Sequence, residues 1–460
     1  MVYSFFEEIA KKYSDNIALS CIDNKSVSYN KLFEDIKKVS GYLSTISEEE
    51  IIIICNNTYQ CILRIYAGLC VGKRVILLDP NNRLEDLKDI IEFCDTKKVF
   101  ISEKEKVFIE QLSSYDLCYF EDEIQYNICE KYKNGEAVFY TSGTSNKAKG
   151  IILAGENIIK RCCRSSKILA MSVNGDIYVP VSSSHVFFNS VITFLNQGRK
   201  IHVGTIRTII RDVQKYKPAI LIASPNIFST LVEYSDNIEF IKLIILGGSK
   251  CDEAIKEKAD SLGILLQNLY GATELGGSIA MTVPGGKIDE FYLSQDVKVL
   301  YEADKIAVET DTLMKGYYHN EKLTKEVLGD KKFYISDELV KNQNGTYSIL
   351  GRKDNIIVMN NGMKLSFEDM ELKIKKQINE IEEVCILYID DKIIAIVKTL
   401  KDSKDVLEKL KVFNKNQPFF AKIHEIFFNR DEFEYTSIGK LKRGKVQQEF
   451  EKGKYEREDM

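Results

Sequence analysis

The chain has no tryptophan, six prolines, four histidines and, among its 11 cysteines, no C-x-x-C pair. The shortage of tryptophan and proline does not decide function. The histidines (His185, His202, His319, His424) and the scattered thiols (Cys21, Cys55, Cys61, Cys70, the adjacent Cys162-Cys163 and Cys385 among them) offer no zinc-ligand spacing. Such thiols are expected to be buried and reduced, as in a cytoplasmic protein. An excess of positive charge is also missing. Lys and Arg total 64 against 68 Asp and Glu, a net charge of −4, so no broad basic field invites nucleic acid. The start, Met1-Val2-Tyr3-Ser4-Phe5-Phe6-Glu7-Glu8, has neither the basic nor the apolar region of a signal peptide. No apolar run reaches the length of a membrane span. A hydrophobic fraction of 44% and a charged fraction of 29% are those of a soluble globular protein.

What the chain does have is a polar, glycine-bounded stretch, Tyr140-Thr141-Ser142-Gly143-Thr144-Ser145-Asn146-Lys147-Ala148-Lys149-Gly150. Small residues let backbone N–H groups approach a ligand, and hydroxyl and ammonium groups favour phosphate oxygens. The apolar Ala137-Val138-Phe139-Tyr140 before it reads as a buried strand end. The G-x-x-x-x-G-K-[ST] spacing of a Walker loop is absent, so a triphosphate would be held another way.

With 460 residues the chain should divide into more than one domain. Periodicity predicts helices over Phe5 to Tyr13 and Gln60 to Leu69. A further helix runs up to Leu43, with Ser28 or Asn30 as its cap. Strands are predicted at Ser26 to Tyr29, Ile51 to Cys55, Val75 to Leu78, Ala219 to Ser224 and Leu243 to Leu246. This alternation predicts an α/β fold, a mostly parallel sheet with helices on both faces. The texture changes near Gly351-Arg352-Lys353-Asp354. Beyond it, strands at Asn355 to Met359 and Val384 to Ile389 and a helix over Phe367 to Ile378 suggest a small α+β domain. The expected boundaries are 1–353 and 354–460.

Further motifs join the loop. Asn268-Leu269-Tyr270-Gly271-Ala272-Thr273-Glu274 follows the strand-like Ile264 to Leu266; it offers a flat ring at a strand end for a base, a hydroxyl for phosphate and a carboxylate for a hard cation. Asp337 follows Phe333-Tyr334-Ile335-Ser336, where a lone Asp after a strand reads as a turn residue. Gly351-Arg352-Lys353-Asp354 leads into Asn361-Gly362-Met363-Lys364, and Thr436-Ser437-Ile438-Gly439-Lys440-Leu441-Lys442-Arg443 lies near the end.

In this order the motifs resemble the AMP-forming acyl-adenylate superfamily, which includes acyl- and aryl-CoA ligases, nonribosomal adenylation domains and luciferases. The similarity spans nearly the whole chain. Ser28-Tyr29-Asn30-Lys31-Leu32 looks like the family's T-Y-x-E-L. Gly68 to Arg83, with Leu78-Asp79-Pro80, looks like G-x-x-x-P-L-D-P. Gly316-Tyr317-Tyr318 through Thr324 resembles G-Y-x-x-x-x-x-x-T.

The resemblance implies a large α/β N-terminal domain, a small mobile C-terminal domain, and a role for each matching residue. Thr141, Ser142, Gly143, Thr144 and Lys149 would clasp the β- and γ-phosphates of ATP. Tyr270, with Gly271 beside it, would stack on adenine next to Gly247 and Gly248. Thr273 would touch the α-phosphate, and Glu274 would hold Mg²⁺. Asp337, helped by Arg352, would bind the ribose, and Asp354 would be the hinge. Lys440 would bridge acid, ribose and α-phosphate during adenylation. His185 would lie between the acid pocket and the thiol tunnel, Gly362 along the tunnel, and Phe187, Phe188 and Asn189 in the acid pocket.

The chain departs from the family pattern at Asn146 (for glycine), Ala148 (for proline) and Ile335-Ser336 (for T-G). Asn tolerates positive φ, so the turn can survive. Phe188 stands where amino-acid-activating members place the aspartate that pairs with the substrate ammonium. An unpaired buried ammonium is costly, which favours a small carboxylic acid without an α-amino group. Ordinary core packing is an equal reading of Phe187 and Phe188. The acceptor is read as CoA, with the phosphopantetheine arm of an acyl carrier protein as the alternative. A nucleotide-binding paralogue without turnover is the third possibility.

Overall fold

The computed structural model describes residues 1–460 except 55–57, 81–83, 106–109, 121–128, 130, 142–148, 181–184, 236, 249–250, 303–304, 353–355, 359–363, 391, 400, 419–420, 436–440 and 459–460. Contacts divide the chain into two compact units. One is formed by Met1–Thr141, Lys149–Tyr301 and Ala307–Tyr334, while Ile335–Met460 makes up the bulk of the other.

The first unit is built on two largely parallel sheets; both edges of the nine-stranded sheet are antiparallel, and so is one edge of the seven-stranded sheet. In the seven-stranded sheet, Glu136–Thr141, Arg74–Leu78, Glu50–Ile54, Lys98–Ile101 and Asp116–Tyr119 run parallel. Lys149–Ala154 returns antiparallel to Glu136–Thr141, and Gly316–Tyr317 pairs with it on the edge. Ile51, Ile52, Ile53 and Ile54 are all fully buried, which explains an apolar run without alternation: a parallel strand is covered on both faces. In the nine-stranded sheet, Ile177–Val179, Ile220–Ala223, Leu243–Leu246 and Leu265–Ala272 are parallel neighbours over their shared rungs.

Helices Val2–Tyr13, Tyr29–Thr45, Tyr59–Cys70, Gly155–Ser165 and His185–Asn196 pack among themselves in this unit. Ser28 caps the second by accepting from the Lys31 N–H at 3.2 Å, which settles the choice between Ser28 and Asn30. Tyr29 then buries its ring and donates to the Arg199 carbonyl at 2.8 Å, so the start of the T-Y-x-E-L-like motif is a cap plus an anchor.

The second unit opens with the hairpin Asp337–Lys341/Tyr347–Arg352 and a shorter pair, Ile356–Val358 with Lys364–Ser366. A four-stranded sheet follows, with strands Ile381–Ile389, Lys392–Thr399, Glu425–Asn429 and Glu456–Glu458. Helices Phe367–Gln377 and Ser403–Lys415 supply residues to the core on one face, among them Met370, Ile374, Leu410 and Phe413. Val446 and Phe450 of helix Arg443–Glu451 pack with Cys385, Leu387 and Ile396 in a separate cluster.

All ten described cysteines are free thiols, and only Cys118 and Cys163 are partly exposed. Burial pushes the Cys94, Cys162, Cys251 and Cys385 thiols up to about 12, so they pack as small apolar groups. Among the described residues no helix is long and apolar enough to cross a membrane.

Candidate active site

The parallel strands of the nine-stranded sheet end together, with Ala223, Leu246 and Asn268 on neighbouring rungs. In open α/β sheets ligands bind beyond this carboxyl edge. Gly247 and Gly248 directly follow one of these strands. The neighbouring strand runs on to Ala272 by taking a new antiparallel partner, Gly277–Met281, with a bulge between Tyr270 and Gly271. Tyr270 therefore lies within a strand, not at its end, and its ring meets Phe291 edge-on at 6.5 Å. Asn268 and Tyr270 share a strand face. The Asn268 amide donates to the Ile288 carbonyl at 3.1 Å. Its Oδ1 is buried and has no partner among the described residues, an acceptor that motif matching alone does not single out.

Thr273 and Glu274 occupy a 3-10 turn, Thr273–Leu275, between these antiparallel strands. The Glu274 carbonyl accepts the Met314 N–H at 2.8 Å, and Tyr317 Oη donates to Glu274 Oε1 at 3.0 Å. Gly277 has φ 137°, and a Cβ there would come 2.4 Å from Asn189 Nδ2. Glycine is thus required both by backbone shape and by space.

A buried cation braces the turn. Arg161, 1% exposed, donates to Asp296 Oδ2 and Thr310 Oγ1, both at 2.8 Å, and to Thr312 Oγ1 at 2.6 Å. Thr312 Oγ1 in turn donates to the Leu275 carbonyl at 3.0 Å. Burial pushes the Asp296 carboxyl up, but the Ser294 and Thr310 hydroxyls and the guanidinium groups outweigh it and bring the group to about 2. A buried charge is tolerated because it is paired and hydrogen-bonded. No sequence motif announces Arg161.

Lys149 opens the strand that leaves the phosphate-loop candidate, opposite Thr141, and its Nζ lies 5.8 Å from the Tyr317 ring centroid. The Thr141 side chain and the residues Ser142, Gly143 and Thr144 lie outside the described structure. Tyr317 pairs with Ile151, two residues beyond Lys149. Its N–H donates to Thr324 Oγ1 at 2.9 Å, and a Cβ on Gly316 would come 2.9 Å from Thr324 Cγ2. This gives the G-Y-x-x-x-x-x-x-T element a geometric meaning: Gly316 makes room for Thr324, and Thr324 fixes the backbone of Tyr317.

His185 begins helix His185–Asn196 and is buried. Its ring meets Phe139 edge-on at 5.0 Å, and Asn189 Nδ2 lies 3.0 Å from both His185 Nε2 and the Gly276 carbonyl. Asn189 thus ties the helix to the turn after Glu274. Phe188 is wholly buried in an aromatic row with Phe139 at 5.7 Å and Tyr66 at 5.3 Å, so core packing accounts for it. The Phe187 side chain lies outside the described structure.

Burial lowers the His185 imidazole to about 3, with the Gly276 carbonyl pulling the other way. The ring is therefore neutral at ordinary pH, and its Nε2 accepts from Asn189. The folded value lies below the unfolded one near 6.5, so the unfolded chain takes up a proton that the folded chain does not. Stability from this group is full above about pH 6.5 and falls toward pH 3, at up to about 1.4 kcal/mol per pH unit. Urea unfolding at pH 7 and pH 5 should show a drop for the natural chain about 2 kcal/mol larger than for His185→Gln; equal drops would place the imidazole in water.

In the second unit Asp337 and Arg352 face each other across the first rung of their hairpin. The two expected ribose ligands are thus brought side by side by one hairpin. Asp354, Gly362 and Lys440 lie outside the described residues. The flanks of the Lys440 segment are pinned: Tyr435 bridges to Leu441, and Tyr435 Oη donates to Glu383 Oε1 at 2.6 Å. Immediately after it, Arg443 donates to both oxygens of Glu371, at 2.9 Å to Oε2, and to the Ile386 carbonyl at 2.6 Å. Glu371 also accepts the Ile386 N–H at 2.7 Å.

Comparison with known proteins places the chain in a family. The family model described as AMP-binding enzyme matches residues 6–318. The 2-succinylbenzoate–CoA ligase of Bacillus licheniformis is 21% identical, over 96% of this chain and 99% of its own length. Surfactin synthase subunit 1 of Bacillus subtilis is 21% identical over 96% of this chain, which spans 14% of that protein. The structure of o-succinylbenzoate CoA synthetase from Bacillus subtilis with its acyl-adenylate superposes with a TM-score of 0.83 at 16% identity, covering 96% of this chain and 97% of the other. The same enzyme with ATP and magnesium ion gives 0.81 at 16% identity, covering 96% and 99%. The structural likeness concerns the fold: a large sheet-rich N-terminal part and a smaller C-terminal one. With the family model matching more than half of its length, the chain belongs to the AMP-binding enzyme family, as an acyl-CoA synthetase-like member of the adenylate-forming enzymes.

Proposed function

We propose that the protein activates a small carboxylic acid with ATP as an acyl-adenylate, releases pyrophosphate, and passes the acyl group to the thiol of CoA. The observation that carries this reading is the turn Thr273–Glu274 at the carboxyl edge of the nine-stranded sheet, with Tyr270 just before it and Asn268 Oδ1, which has no partner among the described residues. A ring face and a buried acceptor suit an adenine and its exocyclic amine. A hydroxyl and a carboxylate next to them suit the α-phosphate and a magnesium ion.

Among the described residues no three His, Cys, Asp or Glu side chains converge as metal ligands. Mg²⁺ keeps waters and is commonly held by one or two carboxylates plus substrate phosphates; here Glu274 would be the carboxylate. When bound, Mg²⁺ offsets the negative charge that builds on the α-phosphorus.

The chain's own residues do the rest. Lys149 and the loop before it bind the β- and γ-phosphates. Asp337 and Arg352 hold the ribose. Lys440 bridges the acid and the α-phosphate while a carboxylate oxygen forms its bond to phosphorus and the bond to pyrophosphate breaks. Rotation about Asp354 then withdraws Lys440 and excludes water from the anhydride. The thiol, reaching in past Gly362, attacks the acyl carbon, and AMP leaves. Neutral His185, held by Asn189, separates acid from thiol without bringing a charge to either.

The relatives that are CoA ligases over almost their full length support CoA as acceptor. The alternative, a carrier-protein phosphopantetheine, is favoured by the full-length match to a segment of surfactin synthase. ATP–pyrophosphate exchange over a panel of aliphatic and aromatic acids tests the reading. Exchange with at least one acid is expected, followed by thioester formation with CoA faster than with a holo-carrier. Silence across the panel, with ATP still bound, would leave a nucleotide-binding protein without turnover.

A further inference from the structure

Tyr317 touches two of the groups that the proposed function relies on, and that function gives it no task. Its hydroxyl donates to Glu274 Oε1 at 3.0 Å, and the Lys149 ammonium lies 5.8 Å from its ring centroid. Both lie in the first compact unit with it. Tyr317 is itself held firmly. Its N–H is bound by Thr324, it pairs with Ile151 in the ladder that Lys149 begins, and the next residue, Tyr318, donates its N–H to the Gly150 carbonyl at 2.7 Å. The ring is 8% exposed, so its orientation is set by packing.

We infer that Tyr317 is a positioning residue that aims Glu274 at the magnesium ion and holds Lys149 toward the triphosphate. A phenol O–H that occupies Oε1 fixes the carboxylate plane and leaves Oε2 for the cation. The ring face attracts the ammonium and limits the rotamers of a long, flexible side chain. One rigid aromatic would thus place a carboxylate and an ammonium that come from segments far apart in sequence. This inference rests on the reading of Glu274 and Lys149 proposed above.

The test separates the hydroxyl from the ring and reads binding in place of turnover. ATP is titrated calorimetrically into the full-length protein, with Mg²⁺ in excess and with the metal chelated. In the natural protein Mg²⁺ strengthens ATP binding. Tyr317→Phe keeps the ring, so ATP affinity without metal should stay within about twofold, while the gain from Mg²⁺ falls about tenfold. Tyr317→Leu should lose that gain and also weaken metal-free binding about two- to fivefold. Glu274→Gln serves as the reference. If it loses the Mg²⁺ gain and Tyr317→Phe keeps it, the positioning role is overturned and the reading of Glu274 stands. If both keep the gain, the reading of Glu274 falls, and the role of Tyr317 with it. A general loss of packing would lower both affinities together and would equally overturn the inference.

Discussion

Replacing Glu274 by glutamine lowers ATP–pyrophosphate exchange by about 10²–10³, the range seen when one preorganised group facing developing charge is removed. The substitution is close to isosteric. The amide oxygen still accepts from Tyr317, the backbone still receives the Met314 N–H, and the Arg161 brace beneath the turn is untouched. The thermal midpoint should therefore move little while the rate collapses. A variant that keeps its exchange rate, or that loses rate and fold together, would remove Glu274 from the chemistry.

Arg443→Met should destabilise the second unit by about 2–3 kcal/mol, the loss expected when a partly buried, hydrogen-bonded ion pair is broken. The guanidinium is partly buried against both oxygens of Glu371 and the Ile386 carbonyl. Burial pushes the Glu371 carboxyl above its ordinary value, and Arg443 pulls it back. With the cation gone, a partly buried carboxylate keeps only the Ile386 N–H of these donors, and the Ile386 carbonyl loses one of its own. Urea unfolding followed by far-ultraviolet dichroism should show the loss, and Glu371→Leu added to Arg443→Met should recover part of it. A shift worth less than about 1 kcal/mol would mark the pair as no stronger than a surface bridge. The effect should reach chemistry as well, because Arg443 anchors the chain three residues beyond Lys440.

The elements that could be read from the sequence are those whose signal is local. Leu243 to Leu246 is a strand over the predicted residues, and Ile51 to Cys55 is matched by Glu50–Ile54. The predicted helix over Phe367 to Ile378 is observed as Phe367–Gln377, with Ser366 accepting from the Asp369 N–H. What could not be read depends on which partner a strand takes. Tyr270 was expected at a strand end, but an antiparallel partner and a bulge extend the strand past it. Asp337 looked like a turn residue and instead opens a strand whose partner begins at Tyr347. At the site, motif order named Glu274, Tyr270 and Lys149, since each sits in a recognisable local pattern. Arg161, the open valence of Asn268 and the Tyr317–Glu274 contact were illegible, because a polar residue in an apolar stretch carries no label for its distant partner. Phe188 was ambiguous for the same reason, and its neighbours Tyr66 and Phe139 decide it.

The distribution of thiols gives the molecule an internal alarm. Cys385 is the only cysteine in residues 335–460. It is fully enclosed, with the Arg443 guanidinium 3.4 Å from its sulfur. An alkylating reagent can reach it only when that unit breathes open, whereas Cys162 and Cys251 report on the other. Two clocks of local opening are thus written into one chain, each readable by mass without adding a probe.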